Sequence, residues 1–299
     1  MRTISFEQGE AAMDWLGLVD ALKAGHQRPK ASVEDLFLYR GDDTVLSRSA
    51  WIDGMGMLTK TATIFPGNKA QDKSMIGGGV MLFDDTDGSL AAVIDFHLIT
   101  KWKTAGDSLL GAMLLAPAGA QNILIVGAGT VGLSLVQAFT AGFPGAKFSI
   151  WNRSPQGAAD FAKATGATVV DDLETGVRDA DIILTGTMTT EPIIRGDWLR
   201  PGQHLNMIGA YRPDMREADD AALLKSRVYV DSFATTLGHI GELKIPLEAG
   251  VIAPDHVLAE FYDMDRFART DGDITLFKNG GGAHLDLMTA RYVLEAVGE

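Results

Sequence analysis

Three stretches of this chain carry residues whose type and spacing could do chemistry. The first is MLTKTATIFPGN (57–68), where Lys60 stands among alternating apolar residues. A lysine in such a strand either snorkels out at an exposed edge or puts its ammonium to work on an anion or a polarisable bond. The second is HLITKWKTAGDSLLGAMLLA (97–116), which places Lys101 and Lys103 near the start of a helical pattern. Cations are disfavoured at a helix N-terminus unless they face an anion. A substrate carboxylate or a cofactor phosphate would supply one; the alternative is two solvated lysines. The third is ILIVGAGTVG (123–132), four apolar residues running into three glycines.

That third stretch fits the G-x-G-x-x-G turn between a strand and a helix. Gly127 permits the tight turn, Gly129 lets the backbone approach a pyrophosphate, and Gly132 allows close helix–strand packing. The N–H groups at Thr130 and Val131 then point at the phosphates from the helix N-terminus. The next strand, KFSIW, ends in Asn152-Arg153-Ser154. A ribose without a 2′-phosphate usually meets an acid at this place; here a neutral amide, a cation and a hydroxyl favour NADP, with NAD still possible. Arg153 lying over the adenine ring would suit either cofactor. In LTGTMTTEP (184–192), Thr185, Thr187 and Met188 follow another strand and either line the cofactor crevice or satisfy turn backbone.

Bulk composition narrows the classes. With 299 residues, 46% hydrophobic and 22% charged, the chain has the make-up of a globular enzyme of one large or two ordinary domains. It has no cysteine, which excludes disulfides, thiolate metal sites and cysteine nucleophiles. A net charge of −13 makes nucleic acid an improbable partner. No apolar run is long enough for a membrane span, and the start reads as an amphipathic helix over 5–25 rather than a signal peptide. A cytoplasmic enzyme is expected.

Around the three stretches, LFLY, TVLSRSAW and MLTKTATIF read as strands separated by GDD and GMG turns. GGGVMLFDD and SLAAVIDF form a hairpin turning at Asp87-Gly88, and 97–115 is a helix. Beyond residue 115, NILIVGAG, KFSIWNRS, DIILTGTM, HLNMIGAY and RVYVDSF are short apolar strands, the first three separated by helices, the signature of parallel βαβ units. The fold class is therefore α/β: a doubly wound Rossmann domain over 116–280, and an α+β substrate and dimerisation domain over 1–115 joined by the last helix, 281–299.

TKTATIFPGN, GGGVMLFDDTDGSLAAVIDFHLITKWKTAGDSLLGAMLLA, ILIVGAGTVG, IGAYRPDMREADD, VYVDS and ITLFKNGGGAHLDLMTA occur in an order and spacing that resembles the ornithine cyclodeaminase/mu-crystallin family. The resemblance implies a homodimer built through the first domain and a site between the domains that handles 2-imino or 2-amino acids. It implies that Lys60 is the substrate-binding lysine, and that Thr104 and Asn279 join the cofactor contacts. Lys103 stands where the family has arginine in R-T-A-A, keeping the charge but losing the fork; Asp107 replaces a small residue. Where relatives read M-P-A, this chain has Arg48-Ser49-Ala50. Arg48 either faces the substrate, standing in for the lost fork or binding a second carboxylate, or points to solvent. Arg40 is the nearest counterpart of an early substrate-binding arginine.

Ornithine-deaminating members carry an aspartate where this chain has Tyr211, followed by Arg212, a candidate anion contact. A phenol is a poor general base at neutral pH, and RPDMRE is closer to the ketimine-reductase branch. The expected activity is NAD(P)H-dependent reduction of a 2-imino acid, either a cyclic ketimine such as pyrroline- or piperideine-2-carboxylate or an acyclic imine such as iminosuccinate. The alternatives are a cyclodeaminase with another base and a non-catalytic NADPH-binding protein.

Overall fold

The computed structural model describes residues 1–298. After β1 (Arg2–Ile4), the Ser5 hydroxyl accepts from Gln8 N while the Gln8 side chain accepts from Ser5 N, a reciprocal box that opens α1 (Phe6–Ala12). The stretch 5–25 is not one helix. The chain leaves helical geometry at Met13, and the Asp14 carboxylate accepts from Gly17 N at 2.6 Å to start α2 (Trp15–His26). An aspartate at that position satisfies a donor that only a helix start leaves unpaired, so it begins a helix rather than continuing one.

Strands β2 (Ser32–Arg40), β3 (Asp43–Ile52), β4 (Gly56–Ile64), β5 (Ile76–Phe83) and β6 (Leu90–Asp95) pair antiparallel in succession. Parallel pairing of β1 with β6 completes a six-stranded sheet in the order β1-β6-β5-β4-β3-β2. Gly41, Gly54 and Gly88 supply left-handed residues, with φ +57°, +75° and +71°, in the three tight turns. The register sets Asp35, Arg48, Lys60 and Val80 side by side across β2, β3, β4 and β5. Directly opposed residues share a face of the sheet, so the three charged side chains emerge together. The C-terminal helix (Ala283–Ala296) packs on β3 and β4 and beside α2.

Met1–Lys103 and the chain from Gly282 onward form one compact unit, and Thr104–Gly281 the other. The division therefore falls inside α3 (Phe96–Leu115), whose later turns group with the second unit. That unit holds a seven-stranded, all-parallel sheet of β7 (Asn122–Val126), β8 (Lys147–Trp151), β9 (Thr168–Val169), β10 (Ile182–Thr185), β11 (His204–Met207), β12 (Ser226–Val230) and β13 (Ile274–Lys278). Its helices are α4 (Thr130–Gly142), α5 (Pro155–Thr165), α6 (Leu173–Asp179), α7 (Asp220–Lys225), α8 (Phe233–Thr236) and α9 (Gly241–Glu248).

The strand order β12-β13-β11-β10-β7-β8-β9 reverses at β7, which has β8 on one side and β10 on the other. The crevice at the C-terminal ends of strands flanking such a reversal is where doubly wound sheets bind ligands. Leu124, Val126, Ile183, Leu205, Val228 and Leu276 form the core on one face, as expected of strands covered on both sides. Helix α5 shows the local code well: Ser154 caps it, Pro155 begins it and Gly166, at φ +79°, ends it. No helix among the described residues is long and apolar enough to cross a membrane.

Candidate active site

In the first unit, Lys60 occupies the middle of β4 and is 6% exposed. Its Nζ donates to Asp286 Oδ1 of the C-terminal helix at 2.8 Å and lies 4.9 Å from the centre of the Phe96 ring. Asp286 is fully buried, and its Oδ2 has no hydrogen-bond partner among the described residues. Arg48 stands opposite Lys60 on β3; its Nε and Nη2 donate to Asp35 Oδ1 and Oδ2 at 3.2 and 2.6 Å. Lys103 on α3 is buried and has no ion pair among the described residues.

Burial lowers the Lys60 ammonium to about 8; the charges of Lys103 and Arg48 add to the fall and Asp286 opposes it. Burial alone would raise the Asp286 carboxyl, yet Lys60, Lys103 and Arg48 together hold it below its ordinary value. Surplus positive charge acts on both, since it favours loss of a proton from every member. His26 and His284 meet edge to face at 5.4 Å nearby. Burial pushes His26 down to about 4 and His284 well below its usual range, so neither adds charge at neutral pH. A buried, net-positive site of this kind is built to take an anion, and an ammonium that titrates near neutrality can pass a proton.

In the second unit, the glycine loop has the geometry its spacing predicts. Gly127 has φ +111°, and a Cβ there would lie 2.9 Å from Gly186 O. A Cβ on Gly132 would lie 2.7 Å from Gly127 O, whereas one on Gly129 would meet nothing within 4 Å. Gly129 caps α4 with no side-chain hydrogen bond, so the first N–H groups, at Thr130, Val131 and Gly132, have no intrahelical partner. Asn279, at the C-terminal end of β13, is 6% exposed, and neither its Oδ1 nor its Nδ2 has a partner among the described residues. A buried, unpaired carboxamide costs about 1–3 kcal/mol. Open space before a helix start and an orphaned amide at the strand ends both fit a dinucleotide.

The other expected residues divide. Asn152 ties the loops together, accepting from Ala128 N at 3.2 Å and donating to Ser154 O at 3.1 Å. Arg153 is exposed, and the Ser154 hydroxyl accepts from Gly157 N at 3.3 Å while keeping its own proton to donate. Thr185 is corrected: it is fully buried and its hydroxyl donates to Glu217 Oε2 at 2.8 Å, so it presents no side chain to a cofactor. Thr187 N and Oγ1 donate to Glu217 Oε1 at 2.7 and 2.6 Å, which makes that hydroxyl a loop brace as well. Met188 is 73% exposed beside them, and Thr104 is half-buried on α3.

Three readings of cations also change. Lys101 donates to Glu10, so its anion is internal. Lys101 and Lys103 lie beyond the first turn of a helix that starts at Phe96, out of reach of the dipole reasoning. Arg40, with an 81% exposed side chain, pairs with Asp43 across the β2–β3 turn at 2.9 Å. On the loop after β11, Tyr211 is 58% exposed, and Arg212 places Nε and Nη2 on Asp214 at 2.9 and 2.8 Å.

Sequence reasoning missed Asp286, Asp35, Glu217 and Lys278. Glu217, fully buried, accepts from Thr185, Thr187, Gly209 and Ala210 and so moulds the loops after β10 and β11. Lys278, also fully buried, donates to Met207 O at 2.9 Å. Burial lowers it, against the charges of Glu217, Glu242, Asp231 and Asp107. Asp107, the departure from a small residue, thus serves as one of the counter-charges to Lys278.

Together these features define an α/β protein of two units, one with a G-x-G-x-x-G turn opening onto a helix start and one with a buried cationic cluster. The model for the ornithine cyclodeaminase/mu-crystallin family matches residues 51–299, and the chain belongs to that family. It is 45% identical to a delta(1)-pyrroline-2-carboxylate reductase of Paracoccus denitrificans, over 97% of this chain and 95% of that one. The ketimine reductase mu-crystallin of Mus musculus is 34% identical over 80% of this chain and 76% of its own. The fold matches that of the Thermococcus litoralis delta(1)-pyrroline-2-carboxylate reductase solved with NADH and L-proline: TM-score 0.90, 23% identity, 99% of this chain and 97% of that one.

Proposed function

We propose that this chain reduces a cyclic 2-imino acid of the pyrroline-2-carboxylate type to the corresponding amino acid, with NADPH as the preferred reductant. It is an NAD(P)H-dependent oxidoreductase of C=N bonds, in line with its 45% identity to a pyrroline-2-carboxylate reductase across 97% of its length. The observation that carries the reading is the buried ammonium of Lys60, held by Asp286 in a cluster with surplus positive charge.

The nicotinamide, when bound, supplies the hydride. Lys103, the cluster's cation without an ion pair among the described residues, receives the substrate carboxylate. Lys60 hydrogen-bonds the imine nitrogen and gives it a proton, so the electron pair of the C=N bond settles on nitrogen as carbon accepts the hydride. Asp286 holds Lys60 in place and favours its charged form. The Gly129–Gly132 turn receives the pyrophosphate, and Asn279 completes its hydrogen bonds on the nucleotide. Arg153 and Ser154 take the 2′-phosphate, with no acid at Asn152 to repel it. Tyr211, in the place of a deaminase's aspartate, favours reduction over cyclodeamination.

The assembly we propose is a homodimer through the first unit. Edge strand β2 exposes Leu36, Phe37, Leu38 and Tyr39 at 57, 48, 57 and 73%, an apolar edge that isolated chains rarely leave uncovered. Purified protein mixed with pyrroline-2-carboxylate and either NADPH or NADH tests the reaction. Loss of reduced-nicotinamide absorbance with formation of proline is expected; no loss with any 2-imino acid rejects it. Light scattering at the mass of a monomer rejects the dimer.

A further inference from the structure

The cationic row is mostly occupied before any ligand arrives. Lys60 gives its ammonium to Asp286, and the Arg48 fork is closed on Asp35 through two hydrogen bonds at 3.2 and 2.6 Å. The side chains of Arg48 and Asp35 are only 18% and 30% exposed, and they sit in the same cross-strand row as Lys60. Lys103 alone of these cations lacks a carboxylate among the described residues. Both cations of the row are thus taken, and among the described residues the one cation of the cluster open to a carboxylate is Lys103 on α3.

We propose that Asp35 is a specificity-determining residue, masking Arg48 so that the pocket accepts 2-imino acids with one carboxylate and refuses those with a second. This rests on the imine-reductase reading. A second substrate carboxylate that reached Arg48 would have to displace Asp35, an anion of equal charge already in fork geometry, or lie against it as a like charge. Arg48 keeps a use while masked: its charge still acts on Lys60 and Asp286 from the adjacent strand. That use explains an arginine whose fork is not open to the substrate, and it replaces the expectation that Arg48 stands in for the fork lost at Lys103.

The probes are pyrroline-2-carboxylate and iminosuccinate, the latter formed in the assay from oxaloacetate and ammonia. Wild-type protein is expected to prefer the first by at least about 100-fold in kcat/KM, because rejection rests on an unpaired like charge. Asp35→Asn is expected to raise the ratio of iminosuccinate to pyrroline-2-carboxylate reduction at least about tenfold, and Asp35→Ala to do the same if the first variant does not fold. Adding Arg48→Leu to either variant should cancel the gain. A ratio that stays put in both folded variants, with the wild type active on the cyclic imine, overturns the role of Asp35 alone. Equal wild-type turnover of the two imines also overturns it. Absence of any imine reduction by the wild type removes the parent reading with it.

Discussion

Lys60 and Asp286, 226 residues apart in the chain, share a 2.8 Å hydrogen bond in which the lysine side chain is 8% exposed and the aspartate 0%. Such a pair is poor value as stabilisation, because removing two charges from water costs about as much as their attraction returns. Its use lies in fixing an ammonium at a defined point within a positively charged cluster, with one oxygen of Asp286 still unpaired among the described residues.

Breaking the pair from one side therefore has two consequences. Asp286→Asn leaves Lys60 buried without its counter-charge, and thermal or urea unfolding should show a loss of about 3 kcal/mol. The carboxylate that supports protonation of Lys60 is also gone, so the alkaline limb of the kcat/KM profile should move below the wild-type position near 8. A variant with an unmoved limb and unchanged stability would show that the two side chains do not interact in solution.

The pH dependence of the wild type follows from the same group. Lys60 titrates near 8 in the folded protein against 10.5 as an ordinary lysine. Proton donation requires the charged form, so kcat/KM should fall as pH rises through about 8. Its contribution to stability has the opposite slope: between about 8 and 10.5 the unfolded chain binds the extra proton, so stability from this group grows with pH and is lost as pH falls through 8. Parallel rate and denaturation profiles check the divergence.

Two glycines three residues apart in the same motif should respond differently to a methyl group. At Gly132 a Cβ lies 2.7 Å from Gly127 O and 3.1 Å from Phe161, so Gly132→Ala forces α4 off the sheet and lowers Tm. At Gly129 nothing lies within 4 Å, so Gly129→Ala folds normally while its methyl stands where the pyrophosphate approaches. Fluorescence titration should show NADPH binding at least about tenfold weaker for Gly129→Ala, with Tm within a degree or so of wild type.

Much of this was legible in the residues, and what was not has a physical reason. Lys60 stood out because a lysine between alternating apolar positions conflicts with its strand. Its partner did not, because Asp286 in GGAHLDLMTA lies on a helix whose pattern alone does not distinguish a buried acid from one on a solvated face. Nor does any local pattern reveal a pairing between strand β4 and a helix 226 residues later. The glycine turn was clear because each position has its own steric demand. Strand β13 was not set apart as a strand, yet it inserts between β11 and β12 out of chain order. The stretch 5–25 reads as one helix because helix starts are set by single caps such as Asp14, and periodicity runs straight through them.

In the proposed reading, cofactor choice turns on Arg153, which is exposed just beyond β8. Arg153→Ala should weaken NADPH binding about tenfold and NADH binding by less than about twofold, since one charge-assisted pair to phosphate is lost. Equal losses for both cofactors would assign Arg153 to the adenine ring instead.

Lys60→Met keeps the length of the side chain and removes the ammonium. Steady-state reduction of pyrroline-2-carboxylate by this variant, with NADPH affinity measured on the same preparation, is the most direct check on the role given to Lys60. A fall in kcat/KM of at least about 100-fold with NADPH affinity unchanged is expected of a lost proton donor. Turnover within a few-fold of the wild type would mean that the buried ammonium takes no part in the reduction.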